Sequence, residues 1–255
     1  KTFATTRGTY NPTNSYLLAG GDEGHIYRLD DPQNSNFTNA VDITPAGAST
    51  TFPSIVAGLS VHPTNPDIAM AVYSNYGIPS IYITNNATAT NPNWTLVERN
   101  LSALSVRSCV IAEVSGQTLY FVGTARGLYS SLEPLTTDWS REGVNTVGFA
   151  LVRSMAYRPS DNTLLLGTHG NGMFDAVINV PLSLDKLELN AQFSQGIVQL
   201  DWTAENEYGN DYFEIERSLD AINFEIIGRV LSQGDFAGVQ QYNSKDKVVL
   251  ATTQY

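Results

Sequence analysis

A unit of about 50 residues recurs four times in the first 180 residues of the chain. Each unit opens on a short apolar stretch that ends at or near a proline, except that the third has no proline. The openings are Tyr10-Asn11-Pro12, Val61-His62-Pro63, Ile111-Ala112-Glu113 and Tyr157-Arg158-Pro159, at intervals of 51, 50 and 46 residues. A repeat of this length predicts a series of similar supersecondary units that pack on one another.

Each unit continues with a second apolar run, a turn that contains glycine, and a third strand that carries an aromatic residue. The second runs are residues 16–20, 68–72, 119–123 and 164–167, and the aromatic residues are Tyr27, Tyr82, Tyr129 and Phe174. Short continuous apolar runs are typical of strands buried on both faces. The second and third units add a fourth strand near Trp94 and Trp139. Four short antiparallel strands per unit predict the blades of a β-propeller.

Two of the glycine turns carry a resemblance to a known family. They are Gly123-Thr124-Ala125-Arg126-Gly127-Leu128-Tyr129 and Gly167-Thr168-His169-Gly170-Asn171-Gly172-Met173-Phe174. With the strands around them they resemble propellers built from sialidase-type, or BNR, repeats, including the sortilin-like and xyloglucanase-like members. The resemblance covers about residues 6–178, although the Asp-box turn survives only as remnants near Asn86 and Trp94. It implies consecutive blades of a larger propeller.

A different pattern begins after Pro181. Val198, Leu200 and Trp202 alternate with polar residues, which predicts a strand buried on one face, and Phe213 and Ile215 alternate in the same way. We expect propeller blades over residues 1–180 and an immunoglobulin-like or fibronectin type III-like β-sandwich over residues 181–255. The sandwich should begin near Leu184, with Trp202 packed in its core against Phe213 or Ile215.

The second region also resembles an export-associated module. The segments Leu200-Asp201-Trp202-Thr203, Asn210-Asp211-Tyr212-Phe213 and Asn223-Phe224-Glu225-Ile226 are similar to modules found just before the sorting tail of Bacteroidetes proteins exported by the type IX secretion system. This resemblance implies a secreted or cell-surface location. The resemblance concerns the location of the protein and implies no activity.

The charge balance excludes some classes of partner. The chain has 25 acidic and 14 basic residues, a net charge of -11, so its average field repels nucleic-acid phosphates and anionic membrane surfaces. No run approaches the roughly 18 apolar residues of a membrane span, so membrane insertion is not expected. The single cysteine, Cys109, allows no disulfide within the chain and no cysteine-based zinc site, and its apolar surroundings predict a buried side chain.

The turns between the second and third strands supply the candidate ligand-binding residues, because loops on a rigid platform commonly carry function. A pair of carboxylates is what a glycosidase needs. An arginine can pair with a carboxylate or sulfate of a ligand, and an aromatic ring can stack on a sugar. Each has a structural alternative: a solvated hairpin carboxylate, a surface ion pair, an exposed loop aromatic, or a histidine bonded to the backbone. The candidates are Asp22, Glu23, Tyr76, Arg126 and His169.

No catalytic constellation and no metal site is predicted. His25, His62 and His169 fall at different positions in their units and give no metal-ligand spacing. The acidic runs at Asp22-Glu23, Asp30-Asp31 and Glu205-Asn206-Glu207 could hold calcium, but solvated acidic loops are the simpler interpretation. No cofactor is expected.

Three functions remain open at this point. The leading hypothesis is a non-enzymatic binding or adhesion protein whose propeller displays loops to a glycan or protein ligand. The second is a glycoside hydrolase of xyloglucanase-like or sialidase-like type, with its catalytic residues outside this chain. The third is a structural component of a large adhesin.

Both regions also look unfinished. The fourth unit supplies three strands, through about Ile178, before Pro181 interrupts it, and residues 252–255 read as the approach to a further strand of the sandwich. Unpaired strand edges favour aggregation. We therefore expect the remaining parts of a longer polypeptide, or another chain, to complete the sheets.

Overall fold

The computed structural model describes residues 1–51, 54–178, 186–207, 210, 212–218, 220–234 and 236–247. The chain divides into two compact units, Lys1–Asn179 and Val180–Tyr255. The described residues form strands joined by turns, with two single-turn 3-10 helices at Phe37–Asn39 and Arg99–Leu101. The prediction of an all-β chain is confirmed. The expected start of a sandwich at Leu184, the break at Pro181 and the strand near residues 252–255 lie outside the described residues.

The first unit contains four antiparallel sheets, numbered 1 to 4 in chain order. Sheet 1 is β1 (Thr2–Thr5), β2 (Tyr16–Gly20), β3 (Ile26–Asp30) and β4 (Val41–Asp42). Sheet 2 is β5 (Ile55–Val61), β6 (Ala69–Ser74), β7 (Ile81–Thr84) and β8 (Thr95–Leu96). Sheet 3 is β9 (Val106–Val114), β10 (Gln117–Thr124), β11 (Gly127–Ser131) and β12 (Ser140–Glu142). Sheet 4 is β13 (Leu151–Arg158), β14 (Thr163–His169) and β15 (Met173–Val177).

The four sheets pack in series through their first strands. Each sheet is a meander, and β1 contacts β5, β5 contacts β9, and β9 contacts β13. Consecutive blades of a propeller pack in this way. The series is open, since β1 pairs with β2 rather than with β15, and sheet 4 has three strands within the described part of the chain.

The predicted alignment of the four units is confirmed by the register of the sheets. Gly20, Val72, Gly123 and Gly167 occupy equivalent second-strand positions, opposite Thr2, Gly58, Ser108 and Ser154 of the first strands, and each third-strand aromatic residue lies opposite the residue just before one of them. The pairs are Tyr27 with Ala19, Tyr82 with Ala71, Tyr129 with Val122, and Phe174 with Leu166. The four units therefore share one strand plan.

A β-bulge recurs near the start of three first strands. It places one extra residue between Val56 and Gly58 in β5, and it recurs at Arg107 in β9 and Arg153 in β13. The valine before each bulge approaches the preceding sheet. A Cβ on Gly20 would lie 2.5 Å from Val56 Cγ1. Only glycine leaves room for this approach, because real Cβ atoms do not come so close to another carbon.

A hydrogen bond from one tryptophan joins each of sheets 2 and 3 to the sheet before it. Trp94 Nε1 donates a hydrogen bond of 2.8 Å to the carbonyl oxygen of Ile43, just after β4. Trp139 Nε1 donates one of 2.8 Å to the carbonyl oxygen of Val97, just after β8. The two bonds occupy equivalent places in successive sheets. The predicted fourth strands near both tryptophans are present as β8 and β12.

Two details of the first unit were predicted wrongly. Tyr10-Asn11-Pro12 was expected to lie at the end of the opening strand, but β1 is Thr2–Thr5 and these residues follow it in irregular structure. The ladder ends where Thr6 N donates to Tyr16 O, and the chain then turns through Ser15 N to Asn11 O. Sheet 1 also has a fourth strand, β4, although no tryptophan marks it.

The second unit contains two antiparallel sheets. One consists of β16 (Lys186–Ser194), β17 (Ile197–Glu207) and β20 (Phe236–Asp246), and the other of β18 (Tyr212–Ser218) and β19 (Phe224–Leu231). Trp202 is 6% exposed. Its ring contacts those of Phe213 and Tyr242 at centroid distances of 5.6 and 5.7 Å. The predicted burial of Trp202 against Phe213 is confirmed.

Within the residues that the structure describes, no helix has the length and apolar character needed to span a membrane.

Candidate functional site

The candidate residues all lie at one end of the sheets, which we call the loop end. In a meander, the turn from second to third strand and the connection from the fourth strand to the next sheet leave at the same end. The structure brings these two segments into contact. Glu23 N donates to Ser54 O at 3.2 Å next to sheet 1, and Ser80 N donates to Glu98 Oε1 at 2.8 Å next to sheet 2. The loop end is therefore a packed surface.

Asp22 and Glu23 lie in the turn of sheet 1 and border a shallow groove on its outer face. The groove has a volume of about 410 Å³, and three aromatic side chains line it: Phe3, Tyr27 and Phe37. Glu23 adopts a φ of 132°, which is unusual for a residue with a side chain. The two carboxylates are neighbours in sequence, so they do not face each other across the groove.

Tyr76 and His169 occupy the equivalent turns of sheets 2 and 4. Tyr76 is exposed, and its backbone N–H donates to Asn75 Oδ1 at 3.0 Å. His169 ends β14 opposite Leu151, and the turn after it is closed by Thr168 Oγ1, which donates to Gly172 O at 2.6 Å. No contact joins Tyr76 to His169 among the described residues.

Arg126 lies in the tight turn of sheet 3, and this turn fixes its backbone. Thr124 Oγ1 donates to Gly127 O at 2.9 Å and accepts from Arg126 N at 3.0 Å. Gly127 has a φ of +112°, and a Cβ there would lie 2.8 Å from Gly148 O. Glycine is therefore required at position 127, and it lets the connection after β12 pack directly against the turn.

That connection brings Phe149 against two guanidinium groups. Arg141 Cζ lies 3.6 Å from the centre of the Phe149 ring, and Arg126 Cζ lies 5.5 Å from it. Both distances are within the range of cation–π attraction. The Phe149 side chain is still 65% exposed. Arg126, Arg141 and Phe149 form what we call the basic cluster.

The nitrogen atoms of Arg141 are not fully satisfied. Its Nε and Nη2 atoms are buried, and neither has a hydrogen-bond partner within the described part of the protein. No ion pair among those residues involves Arg126 or Arg141. A guanidinium group has five N–H donors, and leaving buried donors unpaired costs free energy. The two unpaired nitrogens are covered from solvent, so what the basic cluster offers at the surface is the positive charge of two arginines without a described counter-ion.

A third arginine stands beside the cluster at the loop end. Arg107 is the bulge residue of β9, next to Val106, which pairs with Thr124 at the base of the Arg126 turn. Its Nε is also buried without a described partner. The bulge in β13 holds Arg153, which is exposed. Four arginines thus lie at one end of sheets 3 and 4, with the carboxylate of Glu142 beside Arg141, in a chain whose net charge is -11.

Sequence reasoning identified Arg126 but missed Arg141 and Phe149. Arg141 belongs to the predicted fourth strand, directly after the Trp139-Ser140 pair that marked it. Phe149 lies in the connection between β12 and β13, where no strand pattern points to it. An arginine in the fourth strand and an aromatic residue in the following connection were the only signals available.

No group of three or more histidine, cysteine, aspartate or glutamate side chains in the described residues is placed to hold a metal ion. Cys109 is buried, and burial raises the pKa of its thiol far above the ordinary value. The thiol is therefore protonated at neutral pH and unreactive. The predicted burial of Cys109 is confirmed.

No family model matches the sequence, and no curated protein matches it. Two GH74 enzymes are among the solved structures similar to this chain. The GH74 enzyme of Niastella koreensis is 13% identical, with a TM-score of 0.47 over 92% of this chain and 38% of that chain. An ancestral GH74 enzyme is also 13% identical, with a TM-score of 0.44 over 88% of this chain and 31% of that chain. The chain thus spans well under half the length of either enzyme.

Proposed function

We propose that this protein is an extracellular ligand-binding platform and that its basic cluster binds the carboxylate of an acidic glycan. The observation that carries the proposal is the pair of guanidinium groups at the Phe149 ring, those of Arg126 and Arg141, which form no ion pair among the described residues. A carboxylate accepts two parallel N–H bonds from one guanidinium group, and such charge-assisted pairs are among the strong hydrogen bonds of proteins.

The surroundings of Arg141 favour an anion over a neutral ligand. Arg126 adds a second positive charge above the same ring, and Arg107 adds a third at the neighbouring bulge. The rest of the molecule is acidic, so this end is a local exception that can attract an anion which the average field repels.

Phe149 favours a sugar among the possible anions. Its ring is 65% exposed although it lies on a packed surface. A uronic acid offers a carboxylate for the arginines and an apolar C–H face for the ring, so one residue of the ligand can use both features. Binding sites commonly pair a flat apolar wall with a few placed polar groups in this way.

The glycoside hydrolase hypothesis is the alternative, and the groove of sheet 1 favours it. Phe3, Tyr27 and Phe37 beside two carboxylates are suited to hold a sugar chain. Hydrolysis needs two carboxyl groups about 5–10 Å apart across the glycosidic bond, and the adjacent Asp22 and Glu23 do not meet this requirement alone. In this hypothesis further catalytic residues lie outside the chain. A structural role in a large adhesin would use neither site.

Calorimetric titration with oligogalacturonides tests the proposal. We expect binding that weakens by about tenfold or more in Arg126→Gln and in Phe149→Ala, because each loses one part of the cluster. Arg158→Gln is the matched control, since Arg158 is an exposed arginine paired with Asp161. Equal binding of a neutral oligosaccharide of the same length, or no effect of the two substitutions, would reject the proposal. Release of shorter sugars during the titration would support the hydrolase instead.

The extracellular location and export by the type IX system are also proposals. The resemblance of segments of the second unit to modules that precede a sorting tail supports them. Fractionation of the producing cells tests the location: the protein should be found in the medium or at the cell surface, and a cytoplasmic protein would contradict it.

A further inference from the structure

The outer face of sheet 4 carries the apolar residues of a sheet-to-sheet interface without a described sheet to cover them. In sheets 1 to 3 the third-strand residue opposite Gly20, Val72 or Gly123 faces the next sheet, and the equivalent residue of sheet 4 lies opposite Gly167. These residues are Ile26, Ile81, Leu128 and, in sheet 4, Met173. Ile26, Ile81 and Leu128 are at most 5% exposed, whereas Met173 is 76% exposed.

A second position shows the same difference in exposure between sheet 4 and the other sheets. Leu18, Met70 and Phe121 stand two residues before Gly20, Val72 and Gly123, face the next sheet and are buried. Leu165 stands at the equivalent position of sheet 4 and is 43% exposed. The apolar residues at both positions become buried only if another sheet packs there, and burying apolar surface is favourable.

Glycine marks the centre of the same face. Gly123 leaves space for Val152 of the next sheet, because a Cβ on Gly123 would lie 2.7 Å from Val152 Cγ1. Gly167 is the equivalent residue of sheet 4, and the nearest atom to a Cβ on it would be Ser154 Oγ of its own sheet, at 2.5 Å. The space that receives a valine between sheets 3 and 4 is therefore present and open on sheet 4.

We propose that a further four-stranded sheet of the same repeat, belonging to the same polypeptide outside residues 1–255, packs on this face. Its first strand carries a β-branched residue before a bulge and places it over Gly167, as Val152 is placed over Gly123. This continues an interface that already recurs between sheets 1, 2, 3 and 4.

A second copy of this chain fits the face less well. Its matching outer face belongs to sheet 1, where Thr2 lies opposite Gly20 as Gly58 lies opposite Val72. Lys1 would then come towards Gly167 at the place where the inner sheets bring a valine. Two copies would also each carry a net charge of -11, which opposes association.

Thiol labelling of Met173→Cys tests the proposal in two forms of the protein: the 255-residue chain and the complete polypeptide as its own cells make it. The natural Cys109 is buried and does not compete. We expect the introduced thiol to react at least about tenfold more slowly in the complete polypeptide, because a covered site reacts only when it opens. Ile222→Cys, at an exposed site of the second unit, should react at the same rate in both.

Two results would overturn the proposal. One is equally fast labelling of Met173→Cys in both forms, which would mean that nothing covers the face. The other is protection in the 255-residue chain that disappears on dilution, which would identify a second copy as the occupant. Met173→Asp provides an independent readout: it should lower the Tm of the complete polypeptide by several degrees and leave that of the 255-residue chain unchanged within about 1 °C. Equal shifts in both forms would also reject the proposal.

Discussion

His62 is a buried histidine whose hydrogen bonds require the neutral ring. Its Nδ1 accepts backbone N–H groups from Thr64 at 3.2 Å and Asn65 at 3.1 Å, and its Nε2 lies 2.9 Å from Thr118 Oγ1. A proton on Nδ1 would face two N–H donors. Burial lowers the pKa of the ring below its ordinary value, and the Glu113 carboxylate opposes this shift without reversing it.

Stability should therefore fall as the pH drops from 7.5 to 5.5. The unfolded chain binds a proton on this histidine near its ordinary pKa of about 6.5, whereas the folded chain binds it only at lower pH. Acidification through this window thus favours unfolding. Urea unfolding at the two pH values measures the effect. His62→Asn keeps an acceptor near the Nδ1 position and should show a smaller pH dependence, and an unchanged dependence would show that other groups cause it.

Trp139 joins sheet 3 to sheet 2 through a buried hydrogen bond. Trp139→Phe keeps an aromatic ring but removes Nε1, so the buried carbonyl of Val97 loses its donor. We expect the free energy of unfolding to fall by about 1–3 kcal/mol, measured in urea. Trp94→Phe removes the equivalent bond at a more exposed site and should cost less. A larger loss at Trp94 would contradict this order.

At the scale of the strand, two equivalent glycines should respond differently to the same substitution. In Gly123→Ala the new Cβ would meet Val152 Cγ1 at 2.7 Å and Val152 O at 2.8 Å, atoms of the next sheet that cannot move freely. In Gly167→Ala the new Cβ would lie 2.5 Å from Ser154 Oγ, an exposed and rotatable hydroxyl, and the next nearest atom, Ser154 Cβ, is 3.8 Å away. In urea unfolding of the 255-residue chain, where no further sheet covers Gly167, we expect Gly123→Ala to cost about 1–3 kcal/mol and Gly167→Ala less than about 0.5 kcal/mol. Equal costs would show that the contact between sheets 3 and 4 is not tight.

The arrangement of the strands could be predicted where the same type of side chain recurs at the same position of each unit. The aromatic residue of each third strand, the apolar second strands and the two tryptophans gave enough signal to align four units. The strand β4 was not predicted, because its two residues, Val41 and Asp42, are too few to show a pattern and are defined as a strand only by their pairing with β3. The bulges were not predicted for a similar reason: Arg107 and Arg153 are arginines but Ala57 is not, so no residue type marks the position in all three strands.

The candidate site was predictable only in part because its contacts are not local. The turn around Arg126 is determined by Thr124 and Gly127, which the sequence displays. The pairing of Arg141 with Phe149 depends on how the connection after β12 folds over that turn. Nothing in the order of residues there predicts which side chain will meet the guanidinium group.

For the whole molecule, we expect two thermal transitions, because each described core cluster lies within one compact unit. Gly123→Ala should lower one transition, and Tyr242→Phe should lower the other. Tyr242 donates to the buried Glu207 carboxylate at 2.5 Å, and losing this bond should cost about 1–3 kcal/mol. Differential scanning calorimetry of both variants measures this. A single transition that shifts in both variants would mean that the units unfold together.

The hydrogen bonds of the two tryptophans both run from a later sheet to an earlier one, and this direction has a consequence for folding during synthesis. Trp94 and Trp139 each reach back to a carbonyl group made earlier by the ribosome, and neither bond waits for residues still to be translated. Chains emerge at about 5–20 residues per second, so each new sheet has several seconds to dock before the next appears. The sheets can therefore fold in chain order, each packing on the sheet that was synthesised and folded before it.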